Sequence, residues 1–285
     1  MTEQAPHFIG IDIGGTNTRI GSFRSLDVPA FTPLARFPTQ QDYSTQKKEI
    51  FAALQKSAPL AGIGISFAGR IALDGRSVIN APNLPGYVNQ PLVDELEAHF
   101  RCPVRLAHDP VCGLLAEKQF GTLQNNDRSA YLTLSTGTGA AFQLCKDGTT
   151  MTISIEIGHQ LLDGNTLPCL CGQIGCLETF TGGRQIESRT GVSLAQTHDP
   201  AFWETFCDKL SLGLVNLALL TKVDAVAISG AIALNHSFLL PRLQQLLEKR
   251  LTWSYLTLHR ATFGEDAPLI GAALLLTTPE NSILH

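Results

Sequence analysis

The chain has 285 residues, enough for about two domains at ~150 residues each. Hydrophobic residues make up 44% and charged residues 16%, which excludes a disordered chain, since disorder needs low hydrophobicity and high net charge. A net charge of −4 offers no surplus of Lys and Arg to neutralise phosphates, so no nucleic-acid partner is expected.

In chain order, the first segment that reads clearly is Phe8–Phe23: a β-prone run, a tight turn at Gly14-Gly15-Thr16, and a second β-prone run, the signature of a hairpin. Gln46–Gln55 places Ile50, Phe51 and Leu54 on one helical face, Gly62–Ser66 reads as a short buried strand, and Leu92, Leu96 and Phe100 recur at helical spacing. Val104–Ala107 predicts a strand and Pro110–Phe120 a helix with Pro at its first position. A polar stretch, Gly121–Ser129, then marks a boundary between domains 1–121 and 122–285. Beyond it Tyr131–Leu144 repeats the hairpin pattern around Gly137-Thr138-Gly139. Phe202–Lys222 predicts a long helix, Ala225–Ser229 a strand, Ser237–Leu251 a helix, and Ala267–Leu276 a closing helix that could return to the first domain. The order strand–strand, then helix and strand in alternation, occurs twice. Two α/β domains of related topology with a cleft between them follow, although two unrelated Gly-rich hairpins would give the same pattern. No run reaches the ~18 apolar residues of a membrane helix. Met1–His7 lacks the basic and apolar regions of a signal peptide, so a soluble, cytoplasmic protein is expected.

Both glycine turns can aim several backbone N–H groups at one phosphate, or can be ordinary hairpin turns that need glycine. Neither has the Lys of a P-loop nor the spaced glycines of a dinucleotide loop. Asp12, at the end of the first strand, could hold a hydrated Mg²⁺ beside phosphates or bond to nearby backbone. Asp109 before Pro110 reads as a helix cap or as a general base at the C-terminal end of a strand. The cysteines carry the sharpest signal. Seven is an odd number for a disulfide framework, and Cys169, Cys171 and Cys176 cluster after His159. Three thiols and an imidazole make a tetrahedral zinc set, and the glycines of Cys-x-Cys-Gly-x-x-Gly-Cys supply its turns. No water-activating partner stands out, so a structural metal is expected. Cys102, Cys112, Cys145 and Cys207 read as core.

These residues resemble the ROK family (repressors, open reading frames and sugar kinases) along nearly the whole chain, from Asp12-Ile-Gly-Gly-Thr16 to Asp266-Ala-Pro-Leu-Ile-Gly-Ala-Ala273. The most specific match is Glu156-Ile-Gly-His159 followed by Cys169-x-Cys171-Gly-x-x-Gly-Cys176-Leu-Glu178, the pattern of the zinc-bearing branch. The resemblance implies an actin-like ATPase fold: two ribonuclease-H-like α/β domains with an interdomain cleft. It implies ATP-dependent phosphorylation of a hexose or related amino sugar at its terminal hydroxyl. Asp109 falls at the catalytic-base position. Asn83, His108, Asp109, Glu156, His159 and Glu178 fall at sugar-contacting positions, with His159 serving both zinc and sugar. ATP and Mg²⁺ fall to Asp12, Gly14, Gly15, Thr16 and Asn17, to Thr136, Gly137, Thr138 and Gly139, and to Gly230 on the adenosine side. A homodimer is implied as well.

Four positions depart from the family pattern: His108 where an Asn is usual, Ala68 where a Pro precedes Gly69, Thr150–Ile155 in place of a Gly-rich approach to Glu156, and Ser229-Gly230-Ala231 in place of three glycines. A member that binds sugar or nucleotide without turnover is therefore an alternative. A DNA-binding repressor is disfavoured, because the first turn begins at Gly14 and leaves no room for a winged helix.

Overall fold

The computed structural model describes residues 7–55 and 59–285, so the N-terminal stretch read for a signal peptide lies outside the described residues except for His7. The chain divides into two compact units, Met1–Ala116 with Asp266–His285, and Glu117–Glu265. Among the described residues no helix is long and apolar enough to cross a membrane.

The first unit is built on the predicted hairpin. Strand β1 (His7–Ile13) pairs antiparallel with β2 (Asn17–Phe23), and β3 (Thr32–Pro38) adds an edge. Helix α1 (Tyr43–Gln55) leads to β4 (Leu60–Phe67), which lies parallel to β1. A small ribbon of β5 (Arg70–Ile71) and β6 (Val78–Asn80) follows, then α2 (Leu92–Phe100), β7 (Val104–His108) parallel to β4, and α3 (Asp109–Gln119). The main sheet runs β3-β2-β1-β4-β7.

Alternation of Ile and Gly explains how this sheet is covered. Ile9, Ile11 and Ile13 of β1 and Ile63, Ile65 and Phe67 of β4 join one core with Ile50, Leu54 and Leu96 of the two helices. The opposite face of the same strands carries Gly10, Gly62 and Gly64, with Gly10 in register with Gly64. The C-terminal helix of the chain (Ala267–Leu274) belongs to this unit and lies against that stripped face. A Cβ on Gly64 would overlap the Ala272 carbonyl, and one on the helix's own Gly271 would overlap the Cys112 carbonyl. Backbone therefore meets backbone, a contact only glycine permits.

In the second unit, β8 (Arg128–Leu134), β9 (Thr138–Lys146) and β10 (Thr149–Ile155) form an antiparallel meander. The short helices α4 (Glu178–Thr181) and α5 (Gly183–Thr190) precede α6 (Pro200–Thr221), which Asp199 caps by accepting the Ala201 N–H at 2.9 Å. Then come β11 (Ala225–Ser229) parallel to β8, α7 (Ala231–Asn235), α8 (Leu239–Arg250) and β12 (Thr257–Arg260) parallel to β11. The chain-terminal helix is numbered α9. Within this unit the order β10-β9-β8-β11-β12 repeats that of the first sheet, with the same pattern of antiparallel and parallel pairs. The core joins Leu132 and Leu134 of β8 to Leu210 and Leu214 of α6 and Leu243 of α8.

Strands β3, β10 and β12 add to the predicted elements. β3 is a largely exposed edge that begins and ends close to Pro33 and Pro38, so neither alternation nor apolar content marks it.

Candidate active site and metal centre

Three neighbouring parallel strands of the first unit carry polar residues at or next to their carboxyl ends. Asp12 on β1 is in register with Ser66 on β4, Ser66 with Ala107 on β7, and His108-Asp109 follow at the β7–α3 corner. Carboxyl ends of parallel strands are where α/β sheets open to ligands. The Asp12 carboxylate is buried; Oδ1 accepts the Ser66 hydroxyl at 2.9 Å, and Oδ2 accepts Arg19 Nε at 3.2 Å and the terminal guanidinium N–H at 2.8 Å. Burial raises the Asp12 carboxyl above its ordinary range, while Arg19 and Ser66 act in the opposite direction. Arg19 also reaches Asp266, beside the start of α9, at 3.0 Å. The turn Gly14–Asn17 closes with Gly14 N–H donating to the Asn17 carbonyl at 3.0 Å, and Thr39 secures it by donating to the Gly14 carbonyl at 2.7 Å. Asn83 lies beside Gly15, where an added Cβ would meet the Asn83 Cβ at 3.5 Å.

Asp109 is the first residue of α3 rather than a residue ahead of it, and its Oδ1 lies 3.2 Å from His108 Nε2. One turn on, the Cys112 thiol is fully buried near Asp12, Asp109 and Ser66. Burial pushes that thiol well up, and the two carboxylates push it the same way. Of the residues gathered here, Asp12, the turn, Asn83, His108 and Asp109 are singled out by the sequence, whereas Arg19 and Ser66 are not. Their partner is fixed by strand register, which no local motif reveals.

The second unit gathers its polar residues around the turn after β8. Ser135 N–H donates to the Gly137 carbonyl at 3.0 Å, and Thr138 and Gly139 already belong to β9. The Ser135 and Thr136 carbonyls accept the Gly183 and Arg184 N–H groups, both at 2.9 Å, so the turn is seated on the start of α5. Glu178 is turned onto the same loop, its Oε2 accepting the Thr138 N–H at 2.8 Å. Gly137 and Gly158 leave the space for it, since a Cβ on either would come within 2.9 and 3.1 Å of that oxygen. Glu156 is exposed at the start of a single 3₁₀ turn that ends at His159. Gly230 has φ +89° and packs on the backbone of Leu134 at the end of β8, where any side chain would overlap.

The four predicted metal ligands do come together: one ligand atom from each of His159, Cys169, Cys171 and Cys176 lies within 4.8 Å of every other. His159 Nδ1 is 3.8 Å from Cys169 Sγ, and Cys171 Sγ is 3.7 Å from Cys176 Sγ. Gly172 and Gly175 take φ of +94° and +91°, the left-handed turns the motif needs. Burial raises the thiols of Cys169 and Cys176, the latter to about 12, with the neighbouring sulfurs adding to the effect at Cys176. Gln173 Oε1 lies 3.5 Å from Cys171 Sγ and 3.4 Å from Cys176 Sγ, and Gln185 Nε2 lies 3.2 Å from Cys169 Sγ. Neither glutamine carries a signal in the sequence.

A family model described as "ROK family" matches residues 8–278. The glucokinase of Pyrobaculum calidifontis is 29% identical over 302 aligned positions, covering 96% of each chain. The N-acetylmannosamine kinase of Vibrio vulnificus strain YJ016 is 29% identical, over 93% of this chain and 96% of that protein. The crystal structure of a ROK family glucokinase from Streptomyces griseus, in complex with glucose and AMPPNP, superposes with a TM-score of 0.78 at 23% identity, covering 94% of this chain and 98% of that one.

Proposed function

The chain belongs to the ROK family, and from that premise we propose that this sugar kinase transfers the γ-phosphoryl group of ATP to the terminal hydroxyl of a hexose or an N-acetylhexosamine, with Asp109 as general base. The observation that carries the reading is the set of polar residues at the ends of β1, β4 and β7: a carboxylate beside a glycine turn, and a second carboxylate on the adjoining corner. In the proposed reaction Asp109 accepts the proton of the sugar hydroxyl, the hydroxyl oxygen bonds to the γ-phosphorus, and the bond to the ADP oxygen breaks. Such transfer depends chiefly on positioning and on neutralising charge, and a general base contributes about 10²–10⁴-fold.

The turns Gly14–Asn17 and Thr136–Gly139 are assigned to ATP, with Gly230 on the adenosine side. Asp12 spends three of its roughly four acceptor sites on Ser66 and Arg19. That leaves it suited to a water ligand of hydrated Mg²⁺, which would shield phosphate charge. Asn83, His108, Asp109, Glu156, His159 and Glu178 are assigned to the sugar. A tetrahedron of Zn–S bonds about 2.3 Å long has corners about 3.8 Å apart. The Cys171–Cys176 sulfur separation of 3.7 Å fits that edge, and the 3.8 Å between His159 Nδ1 and Cys169 Sγ is close to the slightly shorter N···S edge. Zinc there would hold the loop between β10 and α4 in one shape, with His159 bound through Nδ1 and Nε2 left for the sugar. A cytoplasmic homodimer completes the proposal; sedimentation at micromolar concentration tests the dimer.

A second reading, binding without turnover, draws on one contact: the Thr138 amide that a phosphate would use is held by Glu178. Coupled ADP-release assays over hexoses and N-acetylhexosamines separate the two. The kinase reading expects release with at least one sugar. It also expects Asp109→Asn to keep sugar affinity by calorimetry while kcat falls at least ~10²-fold. Sugar binding with no ADP release from any sugar makes the protein a sensor, and near-normal kcat in the variant removes Asp109 as the base.

A further inference from the structure

Gln185 stands on α5, outside the motifs that carry the metal ligands and the sugar-facing groups. Its side chain is buried, yet its amide spans both sets. Nε2 lies 3.2 Å from Cys169 Sγ and 3.3 Å from Glu178 Oε1, while Oε1 accepts the Leu170 N–H at 3.3 Å. An amide NH₂ has two hydrogens and here faces two acceptors, with its oxygen facing a donor. The opposite orientation would set oxygen against sulfur and carboxylate and NH₂ against an N–H, so the network fixes the amide one way round. Its neighbours continue the chain of contacts: Glu178 passes through Oε2 to the Thr138 N–H, and Leu170 lies between two metal ligands in sequence.

We propose that Gln185 is a positioning residue that ties the Cys/His metal cluster to Glu178. Its two N–H groups meet a sulfur that a metal would make anionic and a carboxylate, so charge-assisted bonds hold both. No shorter or apolar side chain performs this: Asn does not reach, Met has no donor, and Glu would place a carboxylate between two anions. Loss of the bridge therefore removes a donor from the Cys169 sulfur and from Glu178 Oε1 together, leaving the carboxylate held only through Oε2 by the Thr138 N–H. The assignment of Glu178 to the sugar comes from the reading above; the tie between cluster and carboxylate does not depend on it.

The test uses the full chain isolated with its zinc, in Gln185→Met and Gln185→Glu, each checked for folding by circular dichroism. Zinc release to a chromogenic chelator should accelerate about 10–100-fold, as for other partners that orient metal ligands, with Gln185→Glu the faster. With a sugar that the wild type phosphorylates, KM should rise about tenfold while kcat stays within about threefold. Folded variants whose zinc release keeps the wild-type rate overturn the proposal, whereas faster release with an unchanged KM keeps the tie and removes Glu178 from the sugar. Glu178→Gln covers the case in which neither Gln185 variant folds, because it leaves Gln185 in place: it should speed zinc release several-fold, and an unchanged rate overturns the tie. Combined with Gln185→Met it should add nothing further, whereas additive effects again overturn it. A wild type that phosphorylates no sugar defeats the kinase reading alone, since zinc release still decides the bridge.

Discussion

The two turns after β1 and β8 occupy equivalent places in sheets of the same order, yet each is furnished with its carboxylate differently. Asp12 comes from the strand itself and is held by strand neighbours, Ser66 across the sheet and Arg19 on the hairpin partner. Glu178 arrives from far along the chain, carried to the Thr138 N–H by the loop that also bears the Cys/His cluster. A repeated scaffold thus supplies position in both units, while its chemistry is built in locally in one and delivered by an insertion in the other. The local version has few ways to fail; the delivered version depends on everything that shapes the insertion.

Removing the metal should therefore split the units. Chelation or Cys171→Ser is expected to lower hydrogen-exchange protection across 156–185 by at least about 4 kcal/mol, a fraction of the binding energy of structural zinc sites. Protection in 8–23 should hold, and equal loss in both regions would erase the contrast. Elemental analysis of the freshly purified protein should find zinc. A smaller effect, confined to the first unit, is expected from Gly64→Ala. The added methyl overlaps the Ala272 carbonyl, so denaturant unfolding should show a loss of about 1–3 kcal/mol, and an unchanged midpoint would mean that α9 does not sit this close.

The smallest change belongs to Asp12→Asn. Burial makes the folded chain hold the Asp12 proton more tightly than the unfolded chain does, so this group favours folding most at low pH. Its ionised form works against folding as pH rises past the ordinary value of 3.8 and through the raised folded value. The variant should accordingly match or exceed wild-type Tm at pH 7, with the difference closing as the pH falls. Arg19 keeps Asp266 as a partner in it. A clear loss of Tm at pH 7 would show that the Asp12–Arg19 pair contributes more than its burial costs.

Legibility in the sequence followed the same division. A β-prone run before a glycine turn announced β1, a short apolar run announced β4, and the spacing of three cysteines and a histidine announced the cluster, because each is a short-range pattern with one physical cause. The α/β fold with two related halves was readable for that reason. Asp109 was readable as a residue but not in its setting: its pairing with His108 is a matter of side-chain geometry at a corner. Gln185 was invisible, since a glutamine on a short helix has no pattern, and only tertiary folding brings its amide to Cys169 and Glu178. Helices α4 and α5 were missed likewise; they are too brief for periodicity and are held by the turn on which they sit.

The glycine-paved face of the first sheet sets a tolerance for the site above it. Where Gly64 of β4 meets Ala272 of α9 no side chain intervenes, so the depth of the helix there is governed by backbone atoms that no substitution in the sheet can shrink further. Asp266, at the head of that helix, meets Arg19, which meets Asp12. Any residue larger than glycine on this face would act as a shim, lifting one end of the ion chain by an ångström-scale step. The placement of charge at Asp12 is thus calibrated by the absence of side chains about two residues down the strand, a dependence that runs through spacing rather than through any bond.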